Sequence, residues 1–304
     1  MRQLIIGDIH ITKDSISELK EIREELLSIA DREEIDEVIQ LGDLYDSTSL
    51  SREVLCFGTS FITQLAKDRS IILLQGNHGA TNDTTNIVDY LCCFPNCMVI
   101  PDYVNYNIYY GHCLTDKSLF PTKVINDDRV YTKSCEYLSK YDICLIGHQH
   151  SPQKISDNIY HLGSIRYVSF GEVKDEYKQV AILDINIDDI NNIKQDIKFI
   201  PLSSPIKMID VSSIEELSKI PTRTKVRYLI NSFKQFKNEI NIINRLKTKF
   251  YSFQLKLNFT KEEFNSFKKK EHVSIIDSIY SWLDKIEDED VKKELKTIIT
   301  EEFK

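Results

Sequence analysis

No stretch of the 304 residues approaches the roughly 18 consecutive apolar positions that a membrane helix needs, so no membrane span is expected. A signal peptide is not expected either, because a glycine-led polar signature already begins at Gly7. Cysteine offers no framework: of seven, Cys92, Cys93 and Cys97 cluster without zinc-type spacing and the others are scattered. An odd, unpatterned set fits buried thiols in a reducing cytosol better than disulfides. Glycine is scarce, at nine residues, in a chain rich in Ile, Lys and Asn, the bias of an AT-rich genome. The remainder, 41% hydrophobic and 28% charged, is ordinary for a globular protein. The length allows one sizeable core plus one or two small modules.

Five apolar runs each end in a short polar signature. Leu4-Ile5-Ile6 precedes Gly7-Asp8-Ile9-His10, and Val38-Ile39-Gln40-Leu41 precedes Gly42-Asp43-Leu44-Tyr45-Asp46. Ile71 to Gln75 precedes Gly76-Asn77-His78, Ile108-Tyr109-Tyr110 precedes Gly111-His112, and Ile143 to Ile146 precedes Gly147-His148-Gln149-His150. Short apolar runs bounded by Gly read as buried strands, and in a mainly parallel sheet their carboxyl ends meet at one edge. Five of the seven histidines lie in these signatures. Asp and His supply the oxygen and nitrogen donors that suit Mn, Fe or Zn. Two such ions, roughly 3.5–4 Å apart, can clamp both oxygens of an in-line phosphoryl displacement. They need a shared carboxylate, for which Asp43 is the natural bridge, and the Gly before each donor lets the backbone approach closely.

The ordered set resembles the calcineurin-type metallophosphoesterases, whose motifs run D-x-H, G-D-x-x-D, G-N-H, a lone G-H and G-H-x-H. The resemblance implies an α/β fold: a four-layer β-sandwich flanked by helices, with a small α+β capping domain and a C-terminal helical pair. It implies two divalent cations, with Asp8, His10, Asp43 and His150 at one and Asp43, Asn77, His112 and His148 at the other. His78 would be the acid or transition-state group near the leaving oxygen. One departure stands out: most members follow G-N-H with Asp or Glu to orient the His, whereas here Gly79 follows. Either Asp83 substitutes from the same loop or His78 is less well oriented.

The stretch from His161 to Glu172, with Gly163-Ser164 and Ser169-Phe170-Gly171-Glu172, resembles the G-S-x-x-x-x-S-F-x-E segment of SbcD-type recombination nucleases. The short span from Gly79 to His112 resembles phage versions of that nuclease. This resemblance implies a Mn-dependent 3′-to-5′ exonuclease on duplex DNA that is also an endonuclease on single strands. Its partners would be DNA and an SbcC-like coiled-coil SMC-type ATPase, with a homodimer inside the complex. It would work in the cytoplasm, the host's if phage-encoded. The rival is a phosphatase or cyclic-nucleotide phosphodiesterase of the same fold, which keeps every ligand but needs no basic module. A metal-free scaffold on this fold would be free to lose ligands, and here the set is intact.

The order of elements is β-α-β-α-β at the start. Ser15-Ile16-Ser17-Glu18 has the capping-box pattern before a helix, and Ser51 to Lys67 reads as the next helix. Strands are expected at Ile159 to Leu162, Tyr167 to Phe170, Gln179 to Ile185 and Ile193 to Ile200, completing a second sheet. A linker is read at Pro201 to Pro205. The domains expected are 1–203 for the nuclease, 204–260 for the cap, and 261–304 for a linker and helical ATPase-binding segment. Between Pro221 and Lys270 thirteen Lys or Arg face three Glu, a local +10 in a chain of −8, which leaves −18 elsewhere. Such a module is a place to hold a polyanion, with Lys234, Lys237, Arg245, Lys247 and Lys249 as phosphate contacts. Near the end, Ile276, Ile279, Tyr280 and Leu283, then Leu295, Ile298 and Ile299, form two short apolar faces. Either they dock on their own domain or they bind the partner, and the partner is the expectation taken.

Overall fold

The computed structural model describes residues 1–80, 85–118, 131–189 and 192–258, together with Leu283, Glu289, Lys292, Lys293 and Thr297. The chain forms two compact units, Met1–Ile206 and Lys207–Lys304.

The first unit is built on two sheets. In the first, the strand order is Asn192–Pro201, Gln179–Asp189, Arg2–Ile6, Glu37–Gln40, Ser70–Leu74 and Cys97–Ile100. The last four run parallel, as the alternation of strand and helix dictates. In the second sheet, Gln153–Lys154, Ile159–His161, Ile143–Gly147, Ile108–His112 and Tyr103–Asn105 follow one another, with a parallel centre and antiparallel edges. The five apolar runs are therefore divided, three to the first sheet and two to the second.

Strand alternation sorts the core into layers. Leu4, Ile6, Val38, Ile71 and Leu73 pack against Leu19, Ile22, Leu26, Phe57, Phe61 and Leu65 of the helices Ile16–Arg32 and Arg52–Leu65. Ile5, Ile39, Leu41, Ile72 and Leu74 turn the other way and meet Ile108, Tyr110, Ile143 and Leu145 of the second sheet. Beyond it, Tyr109, Cys144, Ile146 and Ile159 pack on Cys113, Cys135 and Leu138, the last two from the short helix Cys135–Leu138. This is a helix–sheet–sheet–helix sandwich. Truncating one fully buried leucine in such a core costs about 2–5 kcal/mol.

Three local expectations are corrected. The strands Gln179–Asp189 and Asn192–Pro201 extend the first sheet, not the second, because Gln179–Asp189 pairs with Arg2–Ile6. Both faces of that strand are apolar: Val180 and Ile182 join the helix layer, and Ala181, Leu183 and Ile185 the layer between sheets. Tyr167 to Phe170 is no strand; Phe170–Glu172 is a 3₁₀ turn capped by Ser169 and Glu172. The capping box of the first helix lies one turn earlier, on Thr12 and Ser15, whose side chains bond each other's backbone N–H. Glu18 is buried instead, accepting from the Ile206 N–H at 2.7 Å.

The second unit is a parallel β-α-β-α-β module. Met208–Val211, Lys225–Ile230 and Ser252–Leu257 lie in that order, connected by the helices Ile214–Lys219 and Phe233–Leu246. The longer helix starts at Ser232, whose side chain accepts from the Gln235 N–H, and buries Phe233, Phe236, Ile240 and Ile243. Those positions share one face at helical spacing. No helix among the described residues is long and apolar enough to cross a membrane.

Candidate metal centre

The carboxyl ends of five strands bring seven expected donors together: Asp8, His10, Asp43, Asn77, His112, His148 and His150. His112 closes its strand, and the others follow theirs within a few residues. Three of them hold a left-handed backbone that non-glycine residues rarely adopt: His10 at φ 49°, Asp43 at φ 47° and His148 at φ 80°. Such strain persists only where the surroundings fix it. Here the His10 N–H donates to the Asp43 carbonyl at 2.9 Å. The buried Arg166 guanidinium donates to the carbonyls of Ile9 at 3.0 Å and His10 at 2.5 Å. The His148 N–H donates to the Asp8 carboxylate at 3.0–3.1 Å. Gly76 is required by close approach, since an added Cβ would overlap Asp43, and Gly42, at φ 103°, backs directly onto the His112 ring.

Two groups of donor atoms result. Nε2 of His10 and Nε2 of His150 are 2.9 Å apart, and Oδ2 of Asp8 lies 3.8 and 3.7 Å from them. In the second group, Asn77 Oδ1 lies 3.0 Å from His112 Nε2 and 2.9 Å from His148 Nδ1. The two imidazole nitrogens are 3.3 Å apart, and Asp43 Oδ2 is 3.1 Å from His112 Nε2. Donors held at about 2.1 Å around one cation lie about 3.0–3.4 Å from one another. Asp43 Oδ2 is buried without a hydrogen-bond partner and also sits 3.7 Å from His10 Nε2. It faces both groups, as a bridging carboxylate must. The residues present therefore fit divalent cations.

The field of the carboxylates is read in the imidazoles. Burial opposes charging of His10, yet Asp46, Asp8 and Asp43 outweigh it and push its pKa up to about 10. Burial likewise opposes His112, and Asp43 and Asp8 push it up to about 9. His148 goes the other way, down to about 4, through burial and the charge of His112. Burial alone would raise Asp8 and Asp43, but His112 and His10 hold both below the usual carboxylate range. Cations bind neutral imidazole, so uptake must expel protons. Mn added near pH 7.5 to protein stripped by chelation should release about two protons per chain, from His10 and His112. Because protons compete for these nitrogens, affinity should rise with pH up to about 9–10. Calorimetry in buffers of differing ionisation enthalpy measures the release; no buffer dependence would contradict it.

His78 stands at the exposed rim, its N–H donating to Asp43 Oδ1 at 2.9 Å. Its ring Nδ1–H donates to the Asp46 carbonyl at 2.9 Å, a contact that orients the ring. Asp83 lies outside the described residues. A side chain at position 79 would collide with Asn86, which donates to the Gly76 carbonyl at 2.8 Å, so Gly79 makes room for that bond.

Four residues that hold the centre were not assigned from sequence: Asp46, Arg166, Glu172 and Lys178. Asp46 Oδ1 is in ion-pair contact with His10 Nδ1 at 3.0 Å, though not at a hydrogen-bonding angle. Glu172 is buried beside His150 and Lys178. The second Asp of Gly-Asp-Leu-Tyr-Asp and the Glu closing Ser-Phe-Gly-Glu were the available signals. Of the expected DNA contacts, Lys234, Lys237, Arg245 and Lys249 are exposed on the second unit and Lys247 is half-buried. Of the expected partner residues, Leu283 is fully buried in the second unit's own core. Ile276, Ile279, Tyr280, Leu295, Ile298 and Ile299 lie outside the described residues.

Comparison with known proteins agrees with this geometry. One relative is 078R of Invertebrate iridescent virus 3, whose name assigns it provisionally as a phosphoesterase. It is 24% identical over 226 residues, 62% of this chain and 65% of the viral protein, so the chain spans just under two thirds of that relative. A solved nuclease, MPE of Pseudomonas putida, is similar over 59% of this chain and 83% of its own at 15% identity. Its TM-score of 0.32 is too slight a likeness to bear on activity. The family model for calcineurin-like phosphoesterases matches residues 1–232. With most of its length matched, the chain belongs to the calcineurin-like phosphoesterases, a family that works with divalent metals.

Proposed function

We propose that the chain is a Mn-dependent DNA nuclease of the SbcD type. It would act as a 3′-to-5′ exonuclease on duplex and an endonuclease on single strands. The complex would be an end-processing one in the cytoplasm, with a homodimer of this chain and a coiled-coil SMC-type ATPase. The observation that carries a polymeric substrate over a small phosphoester is the exposed basic set on the second unit. Lys234, Lys237 and Arg245 occupy the helix Phe233–Leu246 away from its buried face, and Lys249 follows on the next turn. The Gly-Ser and Ser-Phe-Gly-Glu resemblance supports the SbcD subtype.

In this reading, divalent cations supply Lewis-acid stabilisation of the charge that develops on the phosphoryl group. The chain does the rest. Asp8, Asp43, Asn77 and the four histidines position the ions. Arg166 fixes the strained turn at His10. With Nδ1–H committed to Asp46, His78 has Nε2 left to protonate the leaving oxygen. The basic residues hold the DNA backbone without reading its bases.

Reversing charge at Lys234, Lys237, Arg245 and Lys247 should weaken DNA binding and flatten its salt dependence by about 0.9 in log–log slope per lost phosphate contact. Hydrolysis of a small chromogenic diester should stay unchanged. Unaltered DNA affinity and slope would reduce the basic stretch to a solvated surface and favour the phosphatase or cyclic-nucleotide phosphodiesterase reading.

A further inference from the structure

The two halves of the centre differ in what stands behind their imidazoles. On the Asp8 side, both rings are backed by carboxylates: Asp46 Oδ1 at 3.0 Å from His10 Nδ1, and Glu172 Oε1 at 3.4 Å from His150 Nδ1. On the other side, His112 Nδ1–H donates to the neutral Leu41 carbonyl at 2.8 Å, with the carboxylate oxygen nearest that nitrogen, Asp8 Oδ1, farther off at 3.8 Å, and His148 turns Nδ1 itself inward to Asn77.

Glu172 is a costly group to keep. Its side chain is 2% exposed, and Lys178, 0% exposed, donates to its Oε2 at 2.6 Å. Ser169 donates to Oε1 through N–H and Oγ at 2.8 and 3.2 Å, and Ser164 Oγ and Val168 N–H donate to Oε2, each at 3.3 Å. Lys178 also donates to Asp175 at 2.8 Å and to the His150 carbonyl at 3.0 Å. Buried ion pairs seldom add stability over apolar packing. This pair is instead explained by what it grips, His150, at both its ring and its backbone.

We propose that Glu172, locked by Lys178, is a positioning residue that holds His150 with Nδ1–H behind and Nε2 presented. Together with Asp46 it makes the Asp8–His10–His150 group the tighter cation position, filled before the Asn77–His112–His148 group. The inference rests on the two-cation reading above. A carboxylate behind an imidazole fixes its tautomer and raises its basicity as a ligand. Two such carboxylates also add negative charge beside one ion and not the other.

Mn titration of the full chain, stripped by chelation and followed by calorimetry and electron paramagnetic resonance, tests this. Wild type should take up Mn in two unequal steps. Glu172→Gln should weaken the first about 10–100-fold while the second stays within about twofold. Asp46→Asn should do the same from a half-exposed position where folding is less at stake, and Glu172→Asp should recover part of the loss. A role in folding alone would weaken both steps together. That result, or an unchanged first step in both Gln and Asn variants, overturns the proposal. Unequal steps without DNA cleavage would reject the nuclease reading and keep this one; equal steps with cleavage would do the reverse.

Discussion

Asp43→Ala should leave a folded protein with no more than traces of bound Mn and no measurable phosphodiester hydrolysis. The buried Oδ2 of Asp43 faces both donor groups, 3.7 Å from His10 Nε2 and 3.1 Å from His112 Nε2, so one substitution removes a donor from each. Oδ1 does structural work too, accepting the His78 N–H and so fixing the loop after Asn77. Several kcal/mol of charge stabilisation is at stake, about 10³–10⁴-fold in rate. Elemental analysis after dialysis, thermal unfolding and a chromogenic diester assay check the three parts. A variant that keeps two ions, or turns over at the wild-type rate, removes the shared bridge from the account.

His78→Ala should keep both ions and lose turnover by about 10²-fold, the lower end of the range for acid groups. The ring lies outside both donor groups, on the exposed rim, and packs edge-on to His10 with centroids 4.8 Å apart. Its orientation comes from one neutral carbonyl, that of Asp46. A carboxylate in that place would hold the ring through a stronger, charge-assisted hydrogen bond, which is why the effect belongs at the low end. The loss should fall on kcat, and should shrink with an aryl leaving group that needs no proton. Equal losses for both leaving groups would assign His78 to phosphate binding; unchanged turnover with intact ions would remove it from the chemistry.

What could be read in advance was whatever is local in sequence. Each donor follows an apolar run within a few residues, so the runs announced the strands and the signatures announced the centre. The helix beginning at Ser51 was equally local. Pairing was not. Gln179–Asp189 reads as a strand for any sheet, and only its register with Arg2–Ile6 places it in the first. Asp46 and Glu172 escaped assignment because their work lies in contacts across the chain, to His10 and His150. Thr12 escaped for the opposite reason, since two overlapping capping patterns were available and the 3₁₀ turn Lys13–Ser15 took the earlier one. Leu283 fits an amphipathic face made for a partner, yet its place is the core of its own unit, a matter of long-range packing.

The most direct test of the account incubates the wild-type chain and Asp43→Ala with Mn and labelled linear duplex, beside bis-p-nitrophenyl phosphate and p-nitrophenyl phosphate. The account predicts Mn-dependent shortening of the duplex by wild type alone, with the diester hydrolysed faster than the monoester. An intact duplex alongside rapid monoester hydrolysis would contradict it and make the chain a phosphatase of the same fold.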